Sequence, residues 1–449
     1  MRPRIISVAC GLLVFSHCAL GLTLQEAINS AEKIDPQVQS AISNSDASRA
    51  GIQIARSKLL PTIQGVGSYG RTNQTANNID PNAGLYTTKF VNSTPNSQVY
   101  LRQALFRPAD WVGLNASELQ SEFGLFKLAS AYGDLWLRVS IAWFDLIAAQ
   151  ETLDIQTAAE NSMQVVALQA QKSYEAGLGT KDSALEAKAQ LAFTRSNAIE
   201  AKLILASRQK TFESLTGINL ATLVNSRLNF TKKYKPLAGN AKLFIDKANT
   251  VAPEILAIKM TEEIRRLQLK QARFGSSPTV DLYGSYQQTQ NYNINQIGLG
   301  VISSQVAVQV TIPFYSGGLY EGQERQAAAY LQSASADIKA SELRLLTAIQ
   351  TYWATQEAQI DRAQAVQEMV GSGQEVVNAY RMGVAAGVKS WSDVAKAEVI
   401  LTRRRVDQVN AIGSLLKAQA QLLANLPVND EAWNQWLNSM KFEVKKKSP

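Results

Sequence analysis

After residue 18 this chain of 449 residues contains no histidine and no cysteine; His17, Cys10 and Cys18 all fall at its very start. That absence excludes disulfides, Cys/His zinc sites, thiol redox motifs and the Ser-His-Asp and Cys-His nucleophiles from the body of the protein. Long apolar runs are missing too: with 46% hydrophobic and 18% charged residues, the chain is too polar for a bundle of membrane helices. Proline is absent from Ala109 to Lys235 and from Phe314 to Leu426, runs of 127 and 113 residues. Because Pro costs roughly 3 kcal/mol inside a helix, such gaps predict very long helices. At about 1.5 Å per residue, a helix of about 60 residues spans on the order of 90 Å, so a rod is expected, not a globule.

The one apolar stretch, Ile5 to Leu20, follows Arg2 and Arg4 and ends at Ala19-Leu20-Gly21. It reads as a signal peptide over 1–21, cleaved after Gly21. His17 stands before Cys18 where a lipoprotein signal needs a small residue, and Cys10 comes too early, so no lipid anchor is expected. Losing two Arg leaves 43 basic and 37 acidic residues, net +6, spread evenly except for Lys445-Lys446-Lys447. A solvated basic tail is expected there and no nucleic-acid partner.

Within the proline-free runs, Leu331, Ile338, Leu345 and Tyr352 step by seven, with Ala334, Ser341, Ala348 and Thr355 beside them. Large and small residues alternate along one seam, as knobs-into-holes packing requires. Leu191, Ala198, Leu205 and Phe212 repeat the pattern in the first half. Between the helical runs Val306, Val308, Val310, Ile312 and Phe314 alternate with Ala307, Gln309 and Thr311, and Val280, Leu282, Gly284 and Tyr286 alternate with Asp281, Tyr283 and Ser285. Four strands of about ten residues are predicted, at 61–71, 98–106, 278–288 and 304–314, each with one apolar and one polar face, which suits a transmembrane barrel. The polar connectors between them, rich in Asn, Thr and Gly, read as solvent loops.

The chain is also a tandem duplication. Pro61 to Tyr69 aligns with Pro278 to Tyr286, Ala104 to Ala109 with Pro313 to Gly318, and Asp182 and Leu215 with Asp393 and Leu426. The organisation expected is a first repeat over 22–217, an intervening segment over 218–251, a second repeat over 252–426 and a C-terminal segment over 427–449. Each repeat reads helix, strand, loop, strand, long helix, turn, helix. Four strands cannot close a barrel, and an open edge in lipid leaves backbone groups unsatisfied, so copies must complete one cylinder. Two copies would give eight strands and a filled barrel; three would give twelve and a channel.

Leu101-Arg-Gln-Ala-Leu-Phe106 followed by Trp111, Ala142-Trp-Phe144, Tyr174-Glu-Ala-Gly-Leu178 and Ile312 to Gly318 resemble signature stretches of the TolC family, in order and spacing, over about Leu22 to Leu426. The resemblance implies a homotrimer with a twelve-stranded β-barrel in the outer membrane, continued by a long α-helical coiled-coil barrel through the periplasm. Ile218 to Val251 and the segment after Pro427 would supply an equatorial belt. It implies docking to a periplasmic adaptor and an inner-membrane transporter, and export of drugs or proteins without cofactors or catalysis. The tip turns Gly177-Leu178-Gly179 and Gly383 to Gly387 would face the adaptor. Asp182, Tyr380, Lys389 and Asp393 would close or ring the entrance, with Lys396 standing where a second acid is usual. Arg107-Pro-Ala109 departs from the commoner Asp-containing or Gly-Gly turn.

Independently of the resemblance, Asp182 and Asp393 suit helix N-termini as caps, and Asp154, Glu160 and Glu186 read as solvated charges on helix faces. Gly317-Gly318 precedes a helix as a turn, not as a phosphate loop. A periplasmic structural coiled coil without a pore is the competing class, and a carboxylate hydrolase lacks converging acids.

Overall fold

The computed structural model describes residues 22–81, 84–219, 234–237, 239–293 and 296–440. The segment 1–21 expected to be a signal peptide, most of the 218–240 stretch and the Lys445-Lys447 tail lie outside the described residues. The elements run α1 (Leu24–Ile34), α2 (Pro36–Ser57), β1 (Thr62–Asp80), β2 (Gly84–Phe106), α3 (Pro108–Glu175), α4 (Lys181–Thr216), α5 (Ala241–Val251), α6 (Pro253–Arg273), β3 (Thr279–Asn293), β4 (Gln296–Thr311), α7 (Leu319–Ala385), α8 (Trp391–Leu423) and α9 (Glu431–Ser439). The proline-free runs hold the very long helices expected: α3 has 68 residues and α7 has 67. Proline marks where the shorter helices break. Pro36 opens α2 behind Asp35, whose Oδ1 accepts from the backbone N–H groups of Gln37 and Val38, and Pro253 opens α6.

The chain divides into two compact units that cut across the repeats: 1–38, 132–246 and 347–449 form one, and 39–131 with 247–346 the other. The second unit holds one antiparallel sheet in the order β1-β2-β3-β4. Its register places Ile63, Leu101, Gly284 and Val306 in one row and Gln64, Tyr100, Ser285 and Gln305 in the next. One face is therefore apolar across all four strands and the other polar. Leu105 is skipped at a bulge that pairs Phe106 with Val280, keeping Phe106 on the apolar face. Val306, Val308 and Val310 on that face are exposed, as are Phe106, Trp111, Phe314 and Tyr315 where the strands meet the helices. Such an aromatic fringe suits a membrane interface.

The strands are longer than predicted. β1 and β2 continue to Asp80 and from Gly84, and β3 and β4 to Asn293 and from Gln296, so the connectors read as solvent loops are largely ladder. The physical reason is that alternation is visible only where one face meets an apolar phase. Beyond Tyr69 and Tyr286 Asn, Gln and Thr predominate and the apolar residues no longer keep to one face, Val301 falling in the set of Gln305 and Ile302 in that of Val306, while the backbone goes on pairing.

In the other unit, the seam of α7 holds Trp353, Gln356, Val366 and Val377 buried, and α4 buries Ala198, Leu205 and Phe212. The C-terminal α9 docks on α3 through aromatic edges: Trp433 lies 5.3 Å from Trp136, and Trp436 5.7 Å from Phe144. Trp136 in turn donates its Nε1–H to Glu32 at 2.7 Å. Among the described residues no helix is long and apolar enough to cross a membrane, which says nothing of the sheet.

Candidate functional site at the helical tips

The two helix-to-helix turns have the same backbone. Leu178 N–H donates to Ser173 C=O at 2.8 Å and Gly177 N–H to Tyr174 C=O; Val388 N–H donates to Gly383 C=O at 2.9 Å and Gly387 N–H to Val384 C=O. Both are Schellman closures, which need a left-handed residue at the bend. Gly177 (φ 71°) and Gly387 (φ 74°) supply it. The second turn is therefore Ala386 to Ser390, and Gly383 belongs to the last turn of α7 rather than opening a longer loop. An added Cβ at Gly383 would stand 2.8 Å from Lys389 Cγ, so its smallness admits the lysine stem. Gly179 likewise lets the chain pass Ser173.

Superposed turn on turn, Thr180 answers to Ser390 and Asp182 to Ser392, so Asp182 and Asp393 are one position out of register. Thr180 caps α4, accepting from Ser183 N–H, and Asp182 on the first turn is exposed, with no side-chain hydrogen bond or ion pair among the described residues. Ser390 caps α8 in a full capping box: its Oγ accepts from Asp393 N–H at 3.2 Å, and Asp393 Oδ2 accepts from Ser390 N–H at 3.0 Å and Oγ–H at 2.9 Å. The donated Ser390 N–H and hydroxyl, with Lys389 and Lys396 nearby, hold the Asp393 carboxyl below its ordinary range.

Lys389 does not reach Asp182. Its Nζ sits 4.4 Å from the Tyr380 ring centroid, which brings together two of the predicted residues and leaves Asp182 apart. Lys396 turns to Glu186 on α4, Nζ to Oε1 at 2.7 Å, while Ser392 Oγ donates to Glu186 Oε2. Hydrogen bonds from Lys396 and Ser392 lower the Glu186 pKa, and the same pairing raises that of Lys396. Glu186 is thus a tie between α4 and α8, not the solvated charge expected. Superposed turn on turn, its position answers to that of Lys396, so the matching positions of the two hairpins carry opposite charges that pair.

Around this tie Trp391 Nε1–H donates to Ser173 Oγ and Ser392 N–H to Ser183 Oγ, both at 3.1 Å. Met163, Val166, Ala170, Ala187, Val394 and Ala395 form the core beneath. A second polar knot escaped the sequence reading: Glu398, buried on α8, accepts from Arg381 on α7 and from Ser162 Oγ on α3 at 3.1 Å. The available signal was a carboxylate in the apolar row Val394, Leu401. Outside these knots the tips are open, with Leu178 86% and Val388 75% exposed. Among the described residues no cluster of ligands could hold a metal ion.

The comparisons agree with this architecture. The chain is 24% identical to outer membrane protein TolC of Vibrio cholerae, covering 91% of this chain and 90% of that one. It is 24% identical to the alkaline protease secretion protein AprF of Pseudomonas aeruginosa, over 94% and 88%. Its fold matches the Campylobacter jejuni CmeC outer membrane channel with a TM-score of 0.75 at 14% identity, over 98% of each chain. The family model described as "Outer membrane efflux protein" matches residues 27–218 and 244–426, which include the whole sheet and both tips. A one-sided sheet with open edges, followed in each repeat by a long helical hairpin, is the fold of these channels, and the chain belongs to the outer membrane efflux protein family.

Proposed function

We propose that three copies of the chain form the outer-membrane duct of a tripartite efflux or type I secretion system. The chain sits in the outer membrane, extends into the periplasm and works with a periplasmic adaptor and an inner-membrane transporter. The observation that carries the trimer is the sheet: one apolar face across four strands and two unpaired edges, β1 and β4. In lipid each unpaired backbone group costs several kcal/mol, so the edges must meet, and twelve strands leave a channel where eight do not. A coiled coil without a pore would leave Val306, Val308 and Val310 facing water. The family is one of channels, and we assign the chain neither catalysis nor a cofactor.

Asp182, Tyr380, Lys389, Asp393 and Lys396 are assigned to the entrance, and Gly177, Leu178, Gly179, Gly383 and Gly387 to the adaptor-facing turns. Supporting this, Lys389 is held on Tyr380 while Asp182 has no side-chain hydrogen bond or ion pair among the described residues, which suits a closing contact between copies. Mass measurement in mild detergent tests the assembly, with three times the mature mass expected; a monomer or dimer would refute it. Val308→Asp should block membrane assembly, since a charge on the lipid face costs about 2–4 kcal/mol near the midplane, while Gln309→Asp should be tolerated. Equal tolerance would reverse the assigned faces. Deleting the protein and assaying both drug sensitivity and secreted proteins identifies the cargo class.

A further inference from the structure

The polar face of the sheet is almost uncharged. Where all four strands pair, it carries Thr, Ser, Gln and Asn side chains, and its charged residues are Arg102 on β2 and Asp281 on β3. These two are neighbours, but they are not each other's main partner. Asp281 is buried, its side chain 5% exposed, and both its oxygens are taken by Arg107 from beyond the strand end: Nε to Oδ1 at 2.8 Å and Nη2 to Oδ2 at 2.6 Å. Arg107 also reaches Asp110 at 3.5 Å. Arg102 approaches Asp281 only at 3.4 Å and keeps 46% of its side chain exposed. Its guanidinium lies 5.8 Å from the centre of the Tyr283 ring on the same face, and Tyr100 follows along β2. Stacking holds the guanidinium in place, and Asp281, shared with Arg107, offsets its charge only in part. The anion of this cluster is sealed, and the cation is the accessible charge.

We propose that Arg102 is a selectivity residue of the duct. With the sheet closed by three copies, three Arg102 guanidinium groups ring the lumen at the end of the barrel next to the helices. A fixed ring of one sign within a low-dielectric wall raises the local concentration of small anions and holds back cations. The inference rests on the duct reading and its trimeric closure, and it places a charge filter in the barrel, apart from any at the tips. In the second repeat Thr311 on β4 stands where Arg102 stands on β2, and Ala307 lies opposite Tyr283, so the filter belongs to the first repeat alone.

The chain has no cysteine after residue 18, so Arg102→Cys gives the mature protein a single thiol. In planar bilayers under a KCl gradient, the reversal potential of the variant should move toward cation selectivity. A cationic methanethiosulfonate reagent should move it back, and an anionic one should drive it further. Ser285→Asp, which adds a carboxylate to the same belt while leaving Arg102 in place, should give the same shift as the loss of the arginine. Conducting channels whose reversal potential responds to neither substitution nor to either reagent would overturn the proposal. Unmodified protein that assembles without conducting would instead count against the duct.

Discussion

The two tips share one backbone and differ in how they are held. In the first, α4 starts on a single threonine cap, Asp182 is exposed without a side-chain partner among the described residues, and Leu178 projects into solvent. In the second, α8 starts on a reciprocal box, Trp391 is wedged against Ser173, Lys389 lies on Tyr380, and Lys396 is drawn to α4. The ties run between the tips: Trp391 to Ser173, Ser392 to Ser183 and Lys396 to Glu186 each join the start of α8 to α3 or α4, so the two are fastened to one another while their caps differ. A gate would need contacts of this kind, because a moving element must part from a fixed one along contacts that break without unfolding either helix pair. Polar ties at a surface meet that need better than an apolar seam, whose separation would expose core.

The strongest way to break the comparison is at its shared bend. Gly177→Val and Gly387→Val each force a β-branched residue to positive φ, at a cost of roughly 1–2 kcal/mol on top of the lost Schellman geometry. Each should abolish export while a trimer persists on unheated gels. Gly383→Ala differs in kind: its φ is helical, and it should act by pushing the Lys389 stem off Tyr380. If Gly383→Ala matches the two valine variants in severity, the assignment of the bend to Gly387 is wrong.

A weaker perturbation parts the two tips from each other. Glu186→Gln or Lys396→Met removes the α4–α8 tie and should raise single-channel conductance, and Glu186→Lys combined with Lys396→Glu should restore it. The pH dependence follows from the shifts. Glu186 and Asp393 have lowered pKa values, so their contribution is present above the ordinary 4.5 and 3.8 and fades as pH falls through the folded values. Lys396 has a raised pKa, so its contribution is present below the ordinary 10.5 and is lost as pH climbs beyond it. Conductance should therefore be lowest between these limits and rise on acidification below about pH 4.5. A Glu186→Gln channel that still opens along the unmodified acid profile would assign the transition to other carboxylates.

How much of this was legible depends on the range of the forces involved. The long helices could be read from the missing prolines and the seam of Leu331, Ile338 and Leu345, because helix patterning is local. The strands could be read only where Val306 to Val310 alternate against a lipid-facing side, and the polar ladder beyond Tyr69 carried no such mark. At the tips the glycines were legible but their register was not: Gly383 and Gly387 both fit a turn, and only the closure onto Gly383 C=O identifies the bend. The ties from Glu186 to Lys396, from Arg381 to Glu398 and from Arg107 to Asp281 join residues roughly 20 to 210 positions apart or on different elements, and no spacing rule announces them. Asp281 was visible only as one polar step in an alternating strand.

The smallest expected effect concerns the singly capped tip. Asp182 is exposed and makes no side-chain hydrogen bond or ion pair among the described residues, so Asp182→Ala should leave the thermal unfolding of the detergent-solubilised protein unchanged. Any loss confined to the helix N-terminus would amount to a few tenths of a kcal/mol, as for an exposed carboxylate near a helix dipole. In bilayers the same variant should raise conductance, as the closing contact between copies proposed for Asp182 requires. Lys389→Ala should behave alike in conductance but cost some stability, since it also uncovers the Tyr380 ring. The paired variant separates the two roles. If Asp182 and Lys389 meet across the subunit boundary, the double variant should conduct no more than Lys389→Ala alone. Additive increases would mean that the residues act on separate contacts, and unchanged conductance in both would leave Asp182 a solvated helix-start charge and Lys389 a packing residue.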